Sequence, residues 1–209
     1  MKSLLTKRTY VATVAIIVWF ALGLQLKLSV GLLNGDFVAA LKLILSYFTV
    51  LSNILVAICL TFIILFKDSR LGLFFNKSSI QTAITISILV VGLIYNVALR
   101  GLATPAGLHR LADELLHVVS PLLFLGYWIF FVDKTRLEYK SAILWLSYPL
   151  LYVLFIVTRG YFINQYPYPF IDVTLLGYPK AILNTAIILV VFWLLSLLFI
   201  FLARQTRKI

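Results

Sequence analysis

One threonine, one histidine and a pair of carboxylates stand out against long apolar runs in this chain. Thr49, Ser52 and Asn53 share a helical face by their i, i+3, i+4 spacing. Asp113 and Glu114 precede His117 by one turn, and Ser120 follows it. Asn96 and Arg100 are again one turn apart, and Thr158 with Arg159 closes a further apolar run that holds Tyr152. These residue types suit nucleophilic catalysis. A threonine hydroxyl is a weak nucleophile until an adjacent base takes its proton, and the base works best when a third group orients it. Thr49 as nucleophile, His117 as base and Asp113 or Glu114 as the orienting carboxylate meet that requirement, with Ser52 beside them. Asn53 or Asn96 can donate to a developing oxyanion. Arg100 or Arg159, with Tyr152, can hold a substrate carrying a free carboxylate.

Each residue also has a plainer role. Intramembrane hydroxyls such as Thr49 and Ser52 commonly bond their own i−4 carbonyls. Asn53 and Asn96 can act as interhelical glue, and Arg100, Arg159 and Asp113 as helix-end charges. A metal centre is the other chemistry to weigh, because His109, Asp113 and His117 recur every four residues and Glu114-x-x-His117 has di-iron spacing. Such a centre needs a second Glu-x-x-His. The chain has only two histidines and no other acid inside an apolar run, so neither metal nor cofactor is expected. Non-reactive binding or transport of a lipid remains the alternative to catalysis.

The elements that must position these groups follow from composition. Only 12% of the residues are charged and 63% are hydrophobic; soluble chains carry about 25% charged residues. Lipid therefore has to be part of the solvent. An all-α integral membrane protein is expected, a single domain of six spans at about 10–28, 39–66, 80–99, 111–132, 141–158 and 180–203. The first run is long enough to span and lacks a good cleavage site, so it reads as a retained helix, not a signal peptide. The runs do not alternate with period two, which excludes barrel strands. The net charge of +11 is dispersed in short clusters between the spans. That is the pattern of positive-inside loops and no sign of nucleic-acid binding. Twelve Lys and Arg fall on the side of the termini and six on the other, so both termini are expected in the cytoplasm of a cell-membrane protein. Cys59, the single cysteine, reads as a small buried hydrophobe.

With that orientation the polar groups gather at one depth. At 1.5 Å per residue, Thr49 lies about 12 Å and His117 about 9 Å below the outer ends of their helices. The inner half offers little comparable, which favours one polar pocket in the outer-leaflet half and no through-going path. The segment 159–179 is expected as a long outer loop, with prolines at 167, 169 and 179 and aromatics for the interface or a folded lid.

Ser46-Tyr47-Phe48-Thr49-Val50-Leu51-Ser52-Asn53 resembles the threonine motif of the androgen-induced-gene and FAR-17a-like membrane proteins, and His117 followed by Ser120-Pro121 resembles their histidine segment. Tyr166-Pro167-Tyr168-Pro169-Phe170-Ile171-Asp172-Val173 looks like the bacterial branch, six-span proteins with characteristic prolines. The resemblance implies an intramembrane threonine hydrolase of lipid esters, such as fatty acid esters of hydroxy fatty acids, with Thr49 as nucleophile and His117 as its partner. It implies a lipid substrate and no cofactor. Asp113-Glu114, Arg100 and the Pro-rich segment look like bacterial-branch features.

Overall fold

The computed structural model describes residues 2–205, with side chains from Leu5 onward. The Lys2 side chain, Arg207 and Lys208, which enter the charge comparison, lie outside the described residues. All regular structure among them is helical. Six helical stretches are long and apolar enough to cross a membrane: Leu5–Leu32, Phe48–Leu65, Ser78–Leu99, Gly107–Phe131, Ser141–Ile163 and Val173–Gln205.

The chain divides by its contacts into two compact units, Met1–Asp133 and Lys134–Ile209, where the sequence suggests one domain. The first unit holds α1 (Lys2–Leu32), α2 (Phe37–Ile44), α3 (Phe48–Leu65), α4 (Arg70–Phe75), α5 (Ser78–Ile94), α6 (Gly107–Glu114) and α7 (Ser120–Phe131). A π-helical turn, Tyr95–Leu99, extends α5, and a second, Leu115–Val119, joins α6 to α7. α1 stops where Asn34 and Gly35 adopt left-handed backbone and the Gly35 N–H returns to Val30 O at 2.9 Å. Asp36 then caps α2 by accepting from the Ala39 N–H.

The expected continuous span 39–66 is broken. Ser46 turns its hydroxyl onto Leu43 O, and the Ser46 and Tyr47 N–H groups make tight i−3 bonds. Tyr47 is extended, and a new helix begins at Phe48. A serine hydroxyl bonded to its own backbone competes with the helical ladder, and here the helix stops beside it.

Contacts within the first unit run head to tail. Lys7 Nζ donates to Phe131 O at 3.3 Å and Tyr10 OH to Leu123 O at 2.8 Å, so α1 is antiparallel to α7. α5 is antiparallel to the fourth stretch, with Trp128 Nε1 donating to Thr82 Oγ1 at 2.9 Å near one end. Gln81, Thr82, Thr85 and Ser87 are all buried on α5, a polar stripe in the half expected to offer little comparable to the outer polar groups. Its three hydroxyls bond their own i−4 carbonyls and Gln81 donates to Phe75 O, so the stripe carries structure and holds no titratable group.

The second unit comprises α8 (Ser141–Trp145), α9 (Ser147–Ile163) and α10 (Val173–Gln205). The expected loop 159–179 is largely helical: α9 ends at Asn164 in left-handed backbone, and α10 starts at Val173 under an Asp172 cap. α10 bends at Gly177, whose φ of +72° precedes Pro179. The remaining turn is folded onto its own helices. The Tyr166 ring lies against Gly160, and Asn184 donates to Phe170 O at 2.9 Å.

Candidate active site

Thr49 occupies the first turn of α3, and its Oγ1 lies 3.3 Å from His117 Nε2. The break at Tyr47 thus changes what Thr49 is. It is not a mid-helix hydroxyl but one at the positive end of a helix dipole, where negative charge is favoured. His117 sits in the second π turn, and the other face of its imidazole is held twice. Nδ1 is 2.9 Å from Asp113 O and 3.1 Å from Asp113 Oδ1. Two acceptors at Nδ1 place the neutral ring's proton there and leave the Nε2 lone pair facing the Thr49 hydroxyl. His109, which lies outside the expected span 111–132, is exposed in the first turn of α6.

Why the backbone is π-helical here can be read from Pro121. The Ser120 N–H bonds Leu115 O, five residues back. The next donor in that register belongs to residue 121, and proline has none. Asn53 fills the gap. Its Nδ2 donates to Leu116 O at 3.1 Å and to Thr49 O at 2.9 Å, stitching the first turn of α3 to the π turn of the fourth stretch. Both amide hydrogens are thereby engaged, which leaves Asn53 a brace for the Thr49–His117 pair and not a donor to an oxyanion in this geometry. Ser52 is buried beside it on α3. π turns inserted into α-helices recur at functional sites; here both of them border the same centre.

The first π turn supplies Tyr95 and Asn96. The Tyr95 hydroxyl donates to Asp113 Oδ2, and its ring stacks on His117 with centroids 4.1 Å apart and planes 20° from parallel. Arg100 lies over the same tyrosine at 5.1 Å and grips Glu114 with both terminal nitrogens, at 2.8 and 2.9 Å. Its Nε donates to Asn96 Oδ1, while Asn96 Nδ2 donates to Gly92 O. Glu114 therefore faces Arg100, and of the two carboxylates only Asp113 reaches the histidine.

Thr49, Asn53, Asn96, Arg100, Asp113, Glu114 and His117 are thus joined in one connected set within the first unit. Tyr152 and Arg159 belong to α9 of the second unit, where Tyr152 is buried and Arg159 Nη1 donates to Gln165 O at 3.2 Å. Tyr95 is the member that sequence reasoning missed. Its only prior signal was its place next to Asn96 at the end of an apolar run. No group of three or more metal-ligating side chains occurs among the described residues. Set against protein-family models, curated proteins and solved structures, the chain matches none.

Proposed function

We propose that this chain is a multi-pass membrane esterase in which Thr49 is the nucleophile and His117 the base. The observation that carries the proposal is the Thr49 Oγ1–His117 Nε2 distance of 3.3 Å, with Nδ1 of the same ring held by Asp113. That is the hydroxyl, base and orienting group of nucleophilic catalysis, within hydrogen-bond reach. Thr49 Oγ1 attacks an acyl ester carbonyl as its proton passes to Nε2. The tetrahedral intermediate collapses by breaking the bond to the leaving oxygen, which takes the proton from Nε2. Water, deprotonated by the same nitrogen, then releases the acid from the acyl-threonine. The positive end of α3 favours the charge on the intermediate.

The substrate class proposed is a fatty acyl ester such as a fatty acid ester of a hydroxy fatty acid, by the motif resemblance around Thr49 and His117. Arg100 is suited to a free carboxylate on such a molecule. The charge bias supports termini in the cytoplasm and a centre in the outer-leaflet half of a cell membrane, here proposed as a bacterial plasma membrane.

The test is labelling of detergent-purified protein by a fluorophosphonate probe, alongside hydrolysis of acyl esters. Labelling is expected in the wild type and lost in Thr49→Ala. His117→Ala should lower turnover by about 10²–10⁴-fold, the usual weight of general acid–base catalysis. Folded Thr49→Ala and His117→Ala proteins that keep full hydrolysis would overturn the proposal.

A second reading, lipid binding or transport without turnover, is favoured by one feature. An open groove of about 630 Å³ runs along the first half of α1, lined by Thr6, Thr9, Tyr10, Thr13 and Leu123 and by none of the catalytic candidates. Stoichiometric lipid retention without hydrolysis, reduced by filling that groove with Thr9→Trp, would support it.

A further inference from the structure

Tyr95 contacts His117, the Asp113 carboxylate and Arg100. Its hydroxyl donates to Asp113 Oδ2, while the other oxygen of the same carboxylate, Oδ1, lies 3.1 Å from His117 Nδ1. Its ring covers the imidazole at 4.1 Å, and the Arg100 guanidinium lies 5.1 Å from the ring centre. Asp113 is therefore fixed at both oxygens, one by Tyr95 and one by the histidine. A carboxylate with one oxygen unheld can rotate about χ2, a broad torsion, and present either oxygen or neither to Nδ1. The tyrosine hydroxyl removes that freedom, and its ring removes the imidazole's freedom to tip out of plane.

The location of Tyr95 in a π turn has the same consequence. The Arg100 N–H closes onto Tyr95 O, five residues back, at 2.7 Å. The extra residue in that turn offsets the residues after it from the regular α5 face, and Arg100, at its end, meets both Asn96 and Glu114. The partner turn at Leu115–Val119 does the corresponding job for His117. Two irregular turns from two helices meet at one stacked pair.

We propose that Tyr95 is the positioning residue of this centre, its hydroxyl holding Asp113 on His117 Nδ1 and its ring holding the imidazole plane toward Thr49. The assignment rests on His117 acting as the base, and it separates into two parts that different variants remove. Tyr95→Phe keeps the stack and deletes the bond to Asp113. Tyr95→Leu deletes both.

The chain has two histidines, so a His109→Gln background leaves His117 as the single imidazole in a protein labelled with ¹⁵N-histidine. His109 is exposed and outside the connected set. In that background, at a pH where the ring is neutral, nitrogen shifts report the tautomer and the ring proton shifts report the stacked aromatic. The parent protein should show one tautomer, protonated at Nδ1, with ring protons displaced upfield. Tyr95→Phe should keep the upfield displacement and, with Asp113 O still accepting from Nδ1, the same tautomer, while the Nδ1 shift moves as the freed carboxylate leaves the ring. Tyr95→Leu should move the Nδ1 shift in the same way and lose the upfield displacement as well. Turnover should fall in Tyr95→Phe with KM little changed.

Unchanged nitrogen shifts and unchanged turnover in Tyr95→Phe would overturn the proposal. If the nitrogen shifts move as expected but the parent protein hydrolyses nothing, the positioning role stands and the esterase falls. If hydrolysis is robust and Tyr95→Phe leaves the nitrogen shifts alone, the esterase stands and the positioning role falls.

Discussion

Gly92 and the His117 carbonyl are packed so closely that a methyl group on Gly92 would lie 3.0 Å from His117 O and 3.4 Å from the Pro121 ring. Glycine on α5 lets the two backbones meet at the level of the catalytic candidates.

Gly92→Ala therefore sets two opposed effects against each other. Alanine gains up to about 1 kcal/mol in helix propensity over glycine, while overpacking against backbone costs about 1–3 kcal/mol. The clash should win by about 1 kcal/mol, because the neighbours are a backbone oxygen and a rigid ring, neither able to swing away. Gly92→Val should be markedly worse. Thermal midpoints in detergent, with hydrolysis measured on the folded fraction, would check this. A Gly92→Ala protein more stable than the wild type would show that the two helices separate easily.

Asn53 is fully buried and its amide donates to Thr49 O and Leu116 O, the second of which stands where Pro121 cannot donate. Intramembrane side-chain hydrogen bonds are worth about 0.6 kcal/mol each on average, so Asn53→Ala should cost about 1–2 kcal/mol. Asn53→Asp should cost more, because it turns a carboxylate toward two carbonyl oxygens in a buried site. Pairing Asn53→Ala with Pro121→Ala checks the explanation. The proline variant restores a backbone N–H to the helix, so the asparagine should matter less in that background.

The six spans were legible because length and apolarity are local properties, and each expected run overlaps an observed one over most of its length. The meeting of Thr49 with His117 was legible only as a match in depth. The break at Leu45–Tyr47 was not, since Ser46 has the same composition as a mid-helix serine until its hydroxyl is seen on Leu43 O. The π turns had one trace, Pro121, and no trace at all near Tyr95. Tyr95 itself is an aromatic at a span end, the type and place of an interface residue. Its bond to Asp113 and its stack on His117 are tertiary, set by the approach of α5 to the fourth stretch. The division of labour between Asp113 and Glu114 was equally hidden, because neighbours in sequence point about 100° apart on a helix and only contacts say which partner each finds.

Cys59 is wholly buried on α3, with its thiol 3.9 Å from Phe75 O. The chain has no other cysteine. A maleimide reagent should therefore leave the native protein unmodified and label it only on unfolding, in step with loss of helical signal. Rapid labelling under native conditions would mean that α3 and α4 open far more readily than their packing indicates. Where labelling does track unfolding, it serves as the folding control for every variant named above.

Arg100 and Glu114 form a two-pronged ion pair at 2.8 and 2.9 Å, yet both side chains are partly exposed, at 41% and 33%. Exposed pairs of this kind contribute about 0–1 kcal/mol, so Glu114→Gln should move the thermal midpoint little. Its effect on binding should be larger. The guanidinium that Glu114 occupies is the group proposed to hold a free carboxylate on the substrate, so the two acids compete for one fork. Glu114→Gln should lower KM for esters carrying a free acid and leave KM unchanged for the corresponding methyl esters. Arg100→Gln should raise KM for the free-acid series alone. Arg100→Lys should recover only part of the loss, because a single ammonium cannot reproduce the bidentate geometry. Equal effects on both series would remove Arg100 from substrate binding and leave it as a clamp on Glu114 and Asn96.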